Sequence, residues 1–189
     1  MNPLAPRPIN PTDDTATFDC GNEALNMWLS QRALVSERVG DARTYVSTDA
    51  NTGLIAGLYA ISAWSMDRRV IHGFLARNAP QAVSVILLGR LATSLDARGI
   101  GLGKDLLAHA IRQATIAADA LGARALVTEA KDASATSFYE HMGMKPVIGQ
   151  AGTFAIRMLA SSTDFPNQND VDPFVGNSGG QCVKPPSFA

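Results

Sequence analysis

Apolar residues recur along this chain with two different periods, and the switches between those periods predict the order of its elements. In "CGNEALNMWLSQRALVSERVG", Leu25, Trp28, Leu29 and Ala33 follow at helical spacing after Asn22, a residue able to accept from the free amides of a first turn. That spacing predicts a first helix. "ARTYVSTDANTGLIAGLYAISAWSM" holds two β-rich runs, Thr44 to Thr48 and Leu54 to Met66, joined by Asp49-Ala50-Asn51-Thr52-Gly53, and so predicts an antiparallel hairpin. A short helix is expected near Val70 to Arg77. The Val-, Ile- and Leu-rich run "QAVSVILLGRLATSL", bounded by Pro80 and Asp96, predicts a central strand. From Gly103 through Leu106, Leu107, Ala110, Ile111, Ala114 and Ala118 to Leu121 the period is again three to four, a long helix with Gly122 as its stop. A strand over Ala125 to Glu129 follows. After it comes a short helix capped by Asp132 or Ser134, with Phe138 and Met142 on one side and Gly143 at its end, and then strands near Met144 to Ile148 and Thr153 to Leu159. The order gives an α/β (α+β) chain with a mixed sheet flanked by helices rather than a doubly wound one.

Composition narrows this only in places. The 189 residues, 46% of them hydrophobic, suit one buried domain, expected over residues 1–160. The last stretch, "SSTDFPNQNDVDPFVGNSGGQCVKPPSFA", turns to Pro, Gly, Asn and Ser and reads as a tail over 161–189, disordered or docked. A formal net charge of -1 advertises neither a nucleic-acid binder nor a membrane-surface protein. No basic leader followed by an apolar run, and no apolar stretch of spanning length, is present, so a cytoplasmic protein is expected. Cys20 and Cys182 form no spaced cluster with each other or with His72, His109 and His141, so no metal site is expected and the histidines are assigned to surface or packing.

The candidate chemistry lies in "LDARGIGLGKDLLAHAI". Glycines between a strand and a helix can aim several N–H groups at one point, and the helix dipole adds partial positive charge there. Arg98 and Lys104 would add full charges, so a phosphate or pyrophosphate ligand is expected; a flexible turn with no ligand is the plainer alternative. Two better-known glycine motifs fail letter by letter. A dinucleotide fingerprint needs glycine where Lys104 stands. A P-loop needs glycine where Arg98 stands and Ser or Thr where Asp105 stands.

What remains, Arg98-Gly99-Ile100-Gly101-Leu102-Gly103, resembles the Q/R-x-x-G-x-G/A pyrophosphate loop of the GCN5-related N-acetyltransferases (GNAT). A second match lies downstream, where Ala135 to Met144, "ATSFYEHMGM", resembles the family's A-x-x-F-Y-E-x-x-G-F pattern, with Met144 in place of the aromatic. The N-terminal part, "FDCGNEALNMWLSQRA" with "ARTYVSTD" and "LLGRLAT", is similar to the acetyltransferase toxins of bacterial type II toxin–antitoxin systems. The resemblance implies the GNAT fold, with a mostly antiparallel central sheet, and acetyl-CoA as co-substrate. It also implies an aminoacyl-tRNA acceptor, a cognate ribbon–helix–helix antitoxin, a homodimer and arrest of translation. Arg32, Arg38, Arg43, Arg68, Arg69, Arg77 and Arg90 would gather on one face for tRNA, or else lie scattered in solvent.

By the same resemblance, Leu91, Ala92 and Thr93 form a splayed strand edge that offers amides to the acetyl-CoA, and residues Arg98, Gly99, Ile100, Gly101, Leu102, Gly103 and Lys104 hold its pyrophosphate. Tyr139 would be the general acid for the departing sulfur, with Phe138 packed beneath it. Asp132 and Ser134 stand where they touch the pantetheine or adenosine end or simply cap a helix. Glu129 assists through water or is a solvated carboxylate. Trp28 belongs to the core by its spacing, although it and Trp64 are of the type that stacks on nucleotides. Two other functions stay open: an acetyltransferase of a free small amine or protein N-terminus, and a catalytically silent CoA-binding or interaction protein.

Overall fold

A computed structural model describes residues 1–158 of the chain; the expected tail, residues 161–189, and Cys182 lie outside the described residues. Asn22 caps the first helix as its type predicts, its side chain accepting from the Leu25 amide at 3.2 Å. The helix runs as α1 (Glu23–Trp28), a π-helical stretch (Leu29–Ala33) and α2 (Leu34–Val39), ending at Gly40 with φ +86°. The wide turn coincides with Ser30, whose hydroxyl bonds back to the Asn26 and Met27 carbonyls at 3.1 and 3.2 Å and competes with the normal ladder.

β1 (Arg7–Pro8), β2 (Arg43–Thr48), β3 (Ile55–Asp67), β4 (Ala82–Thr93), β5 (Ala125–Glu129), β6 (Lys145–Pro146) and β7 (Thr153–Arg157) make one sheet in the order β1-β2-β3-β4-β5-β7-β6. All neighbours are antiparallel except β4 and β5. The hairpin and the central strand match the sequence pattern. β1 was not expected: two residues, one of them a proline at a sheet edge, leave almost no periodicity to read.

Helices cover both faces. α3 (Leu102–Leu121) and α4 (Ala133–His141) pack with Tyr59, Ile86, Leu88, Leu126 and Phe154 on one face. On the other, the π-helical stretch between α1 and α2 packs through Leu29 and Ala33 on Val46 and Leu58, while the 68–79 segment packs through Ile71 and Leu75 on Val83, Val85 and Val127. Gly57 sets the approach of α3, since a Cβ there would sit 2.8 Å from Leu106 Cδ1 and 3.1 Å from the Ala92 carbonyl. His109 is a packing residue, its Nδ1 2.6 Å from the hydroxyl of buried Tyr59.

The short helix expected over Val70 to Arg77 is absent, and separate turns take its place. Gly73 and Asn78 adopt positive φ, and the His72 amide bonds the Ile148 carbonyl at 3.0 Å, so the backbone is pinned to the β6–β7 turn instead of closing on itself. The strand expected over Met144 to Ile148 shortens to Lys145–Pro146 because Val147 and Gln150 turn toward β7.

Candidate active site

The site begins where the sheet comes apart. β4 and β5 run parallel but pair only at Ile86↔Leu126 and Leu87↔Val127, whereas β4 stays paired with β3 through Thr93. A bulge at Gly89, between the pairs Ala60↔Arg90 and Ile61↔Leu88, turns the end of β4 away from β5. The Ser94 amide bonds the Ala56 carbonyl on the β3 side at 2.8 Å, so by strand alternation the amides of Leu91 and Thr93 point into the gap and that of Ala92 points toward β3. The glycine within "VILLGRL" was the readable signal for the bulge.

The glycine loop closes one end of the gap. Gly99 and Gly101 have φ of +76° and +88°, and a Cβ at either would meet nothing within 4 Å, which leaves open room before the N-terminus of α3. Gly101 is the N-cap with no side-chain bond, and the amides from Gly99 to Gly103 have no partner among the described residues. Unpaired amides at a helix N-terminus fit a pyrophosphate. The amides of Arg98 and Lys104 do not share in this, since they bond the Leu95 and Gly101 carbonyls. The Arg98 guanidinium was expected beside the anion but bonds the Cys20 carbonyl at 2.9 Å, next to Asp19, tying the loop to the approach of α1. The Lys104 ammonium is exposed.

α4 closes the other side. Asp132 caps it, accepting from the Ala135 amide at 2.8 Å, while Ser134 stays exposed without a capping bond. A Cβ on Gly103 would lie 3.9 Å from both the Phe138 ring and Thr93 Cγ2, so loop, splayed strand and α4 converge there. Phe138 meets Tyr139 edge to face at 5.3 Å. Tyr139 is 7% exposed, and its hydroxyl lies 3.4 Å from Thr128 Oγ1, which donates to the Leu88 carbonyl at 3.0 Å. Burial pushes the Tyr139 phenol above its ordinary pKa, partly opposed by Thr128, so the group is a proton donor at neutral pH.

On the opposite face Arg90 stacks over the half-buried Trp28 ring at 5.5 Å, in a groove of about 520 Å³ that also takes in Met27, Gln31 and Arg32. A separate cleft of about 240 Å³ is lined by Trp64, Met66, Leu87, Val127, Thr128 and Glu129. The Glu129 side chain is exposed and has no hydrogen bond or ion pair among the described residues. The seven arginines do not form one face. Arg43 and Arg69 pair with Glu37 and Asp67, Arg68 bonds the Ala79 carbonyl, and Arg77 lines a separate cavity of about 710 Å³ at the far end of α3 with Arg124 and Arg157. Arg32 and Arg90 line the Trp28 groove, and Arg38 lies in the last turn of α2. No group of three or more His, Cys, Asp or Glu poised for a metal occurs among the described residues, nor any helix long and apolar enough to cross a membrane.

The model of the acetyltransferase (GNAT) domain family matches residues 39–146. The chain is 38% identical over 137 residues to a tRNA-acetylating toxin of Mycobacterium tuberculosis, which covers 72% of this chain and 81% of that protein. Its fold is similar to that of the toxin AtaT complexed with acetyl-methionyl-tRNA (TM-score 0.74, 25% identity, 80% of this chain and 93% of that one). It is similar too to a mutant AtaT bound to the C-terminus of the antitoxin AtaR and acetyl-CoA (TM-score 0.67, 26% identity, 81% and 92%).

Proposed function

Because this chain belongs to the GNAT acetyltransferase family, we propose that it is a toxin that moves the acetyl group of acetyl-CoA to the α-amino group of aminoacyl-tRNA. The charged tRNA is then lost to translation. Acetyl-CoA supplies an activated acetyl thioester when bound. The observation that carries the reaction is the β4–β5 gap, with the amides of Leu91 and Thr93 on one side, the open glycine loop at its end and Tyr139 at its floor. The 38% identity to a tRNA-acetylating toxin supports the acceptor.

In this reading the amides from Gly99 to Gly103 hold the pyrophosphate, and the amides of Leu91 and Thr93 pair with the pantetheine and the acetyl carbonyl. Ala92 then supports the edge rather than donating, and Arg98 fixes the loop rather than touching the anion. Phe138 walls the gap. Asp132 acts as a cap and Ser134 faces the adenosine end. Tyr139 gives its phenolic proton to the departing sulfur as the C–S bond breaks and the C–N bond forms. It regains a proton from solvent, which also receives the one released by the attacking nitrogen. An aminoacyl ester amine is less basic than an ordinary amine, so a useful fraction is neutral near pH 7 and no dedicated base is required.

The acceptor end fits the opposite face, where Trp28 offers a stacking surface and Arg32 and Arg90 offer charge for phosphates. A cytoplasmic homodimer neutralised by a ribbon–helix–helix antitoxin completes the proposal, supported by the likeness to AtaT held by the C-terminus of AtaR. The test is cell-free translation with added protein. Synthesis stops only when acetyl-CoA is supplied, and Tyr139→Phe leaves it running; uninhibited synthesis with the parent protein and acetyl-CoA would refute the toxin reading.

A further inference from the structure

Thr128 is a polar residue inside the sheet, 2% exposed, on the last stretch of β5 before the gap. Neither its side chain nor the strand's regular pairing explains its presence there on packing grounds, because Leu126 fills the same face with a hydrocarbon two residues earlier. Its hydroxyl has one hydrogen and two oxygens within reach: the Leu88 carbonyl at 3.0 Å, where the β4–β5 ladder has just ended, and the Tyr139 hydroxyl at 3.4 Å. The first contact satisfies a buried carbonyl that no β5 amide reaches and fixes the Thr128 rotamer. The second aims that hydroxyl at the atom that loses a proton in the reaction proposed above.

We propose that Thr128 is a positioning residue that holds the Tyr139 hydroxyl at the floor of the gap and stabilises its phenolate once the proton has gone to sulfur. While Tyr139 is neutral, the Thr128 hydrogen rests on Leu88. When negative charge appears on the Tyr139 oxygen, the hydrogen turns to it, because a hydrogen bond to an ionised acceptor is shorter and stronger than one to a carbonyl. No bond other than the phenolic O–H changes hands, and the proton count is that of the transfer itself. The effect of Thr128 on the phenol, which opposes that of burial, has the same sign.

This inference rests on Tyr139 as the acid, so the experiment includes that residue. Acetyl transfer from acetyl-CoA to total charged tRNA is measured against pH for the parent, Thr128→Val, Thr128→Ser, Tyr139→Phe and the Thr128→Val/Tyr139→Phe double variant, each first checked for acetyl-CoA binding. Thr128→Val is expected to lower kcat roughly tenfold or more, with KM for acetyl-CoA within about twofold and the alkaline limb moved to higher pH, because the opposition to burial is gone. Thr128→Ser keeps the hydroxyl and stays near the parent. In the Tyr139→Phe background Thr128→Val has no further effect. Ultraviolet titration of the phenol, read as the difference from Tyr139→Phe, needs no acceptor and is expected to show the same upward shift. Parent-like turnover and titration in Thr128→Val, a Thr128→Ser as slow as the valine variant, or an equal loss in the Tyr139→Phe background would overturn the inference. If the valine variant fails to bind acetyl-CoA, Thr128→Ala takes its place. A Tyr139→Phe as fast as the parent would sink the acid assignment instead.

Discussion

Gly101→Asp separates folding from ligand binding more sharply than any other change at this site. Gly101 is the N-cap of α3 with φ +88°, and a side chain there meets open space. An L-residue in that conformation costs about 1–2 kcal/mol, while an aspartate beside a helix N-terminus returns about 0.5 kcal/mol through the dipole. The net loss of stability is therefore about 1 kcal/mol, or roughly 2–4 °C in Tm for a domain of this size. Binding behaves differently. A carboxylate about 5 Å from the two charges of a diphosphate is repelled by about 1.7 kcal/mol even at the dielectric constant of water, and by several times that where the loop excludes water. Acetyl-CoA affinity should fall more than tenfold at the least, and Gly101→Ala, with strain but no charge, should lose only a few-fold. Calorimetric titration with acetyl-CoA beside thermal melts reads both quantities on the same samples. An aspartate variant that melts within a few degrees of the parent and binds acetyl-CoA as tightly would refute the assignment of these amides to the pyrophosphate.

Other outcomes follow from single contacts. Gly57→Ala drives a methyl to 2.8 Å from Leu106 and 3.1 Å from the Ala92 carbonyl, so urea unfolding should show a loss of about 1–3 kcal/mol, and an unchanged midpoint would contradict the close approach of α3. Arg98→Ala removes the bond to the Cys20 carbonyl; KM for acetyl-CoA should rise a few-fold, with faster amide exchange in both segments, whereas a selective loss of pyrophosphate affinity without any change near Cys20 would return Arg98 to the anion. Arg32→Ala with Arg90→Ala should raise KM for tRNA and flatten its salt dependence while leaving acetyl-CoA binding alone. Steady-state kinetics at several salt concentrations would expose the contrary result, an unchanged slope.

Much of this architecture was legible in advance because local chemistry and tertiary structure agree. Asn22, Gly122 and the apolar stripe of α3 each specify a boundary or a face that packing then uses. The 68–79 segment was misread because its apolar spacing is helical, while Gly73, Asn78 and the contact with Ile148 decide its path, and that last contact is 76 residues away in sequence. The same distance effect hid the actual partner of Arg98. Its charge beside three glycines reads as part of an anion site, yet the loop geometry brings Cys20 within reach first. Thr128 gave no signal as a threonine in a strand. It became visible only once β4 was seen to part from β5 beside it, leaving Leu88 and Tyr139 to share one hydroxyl. Arg90 and Trp28, 62 residues apart in the chain, likewise become a pair only through the antiparallel register of β3 and β4 and the helix lying across them.

The most direct test of the central claim is to mix the purified protein with labelled acetyl-CoA and total charged tRNA, with Tyr139→Phe as control, and then to release and identify the acetylated amino acids. The account predicts label on the α-amino group of one or a few aminoacyl species with the parent protein and little with the variant. Intact acetyl-CoA binding with no label on any aminoacyl species would contradict it.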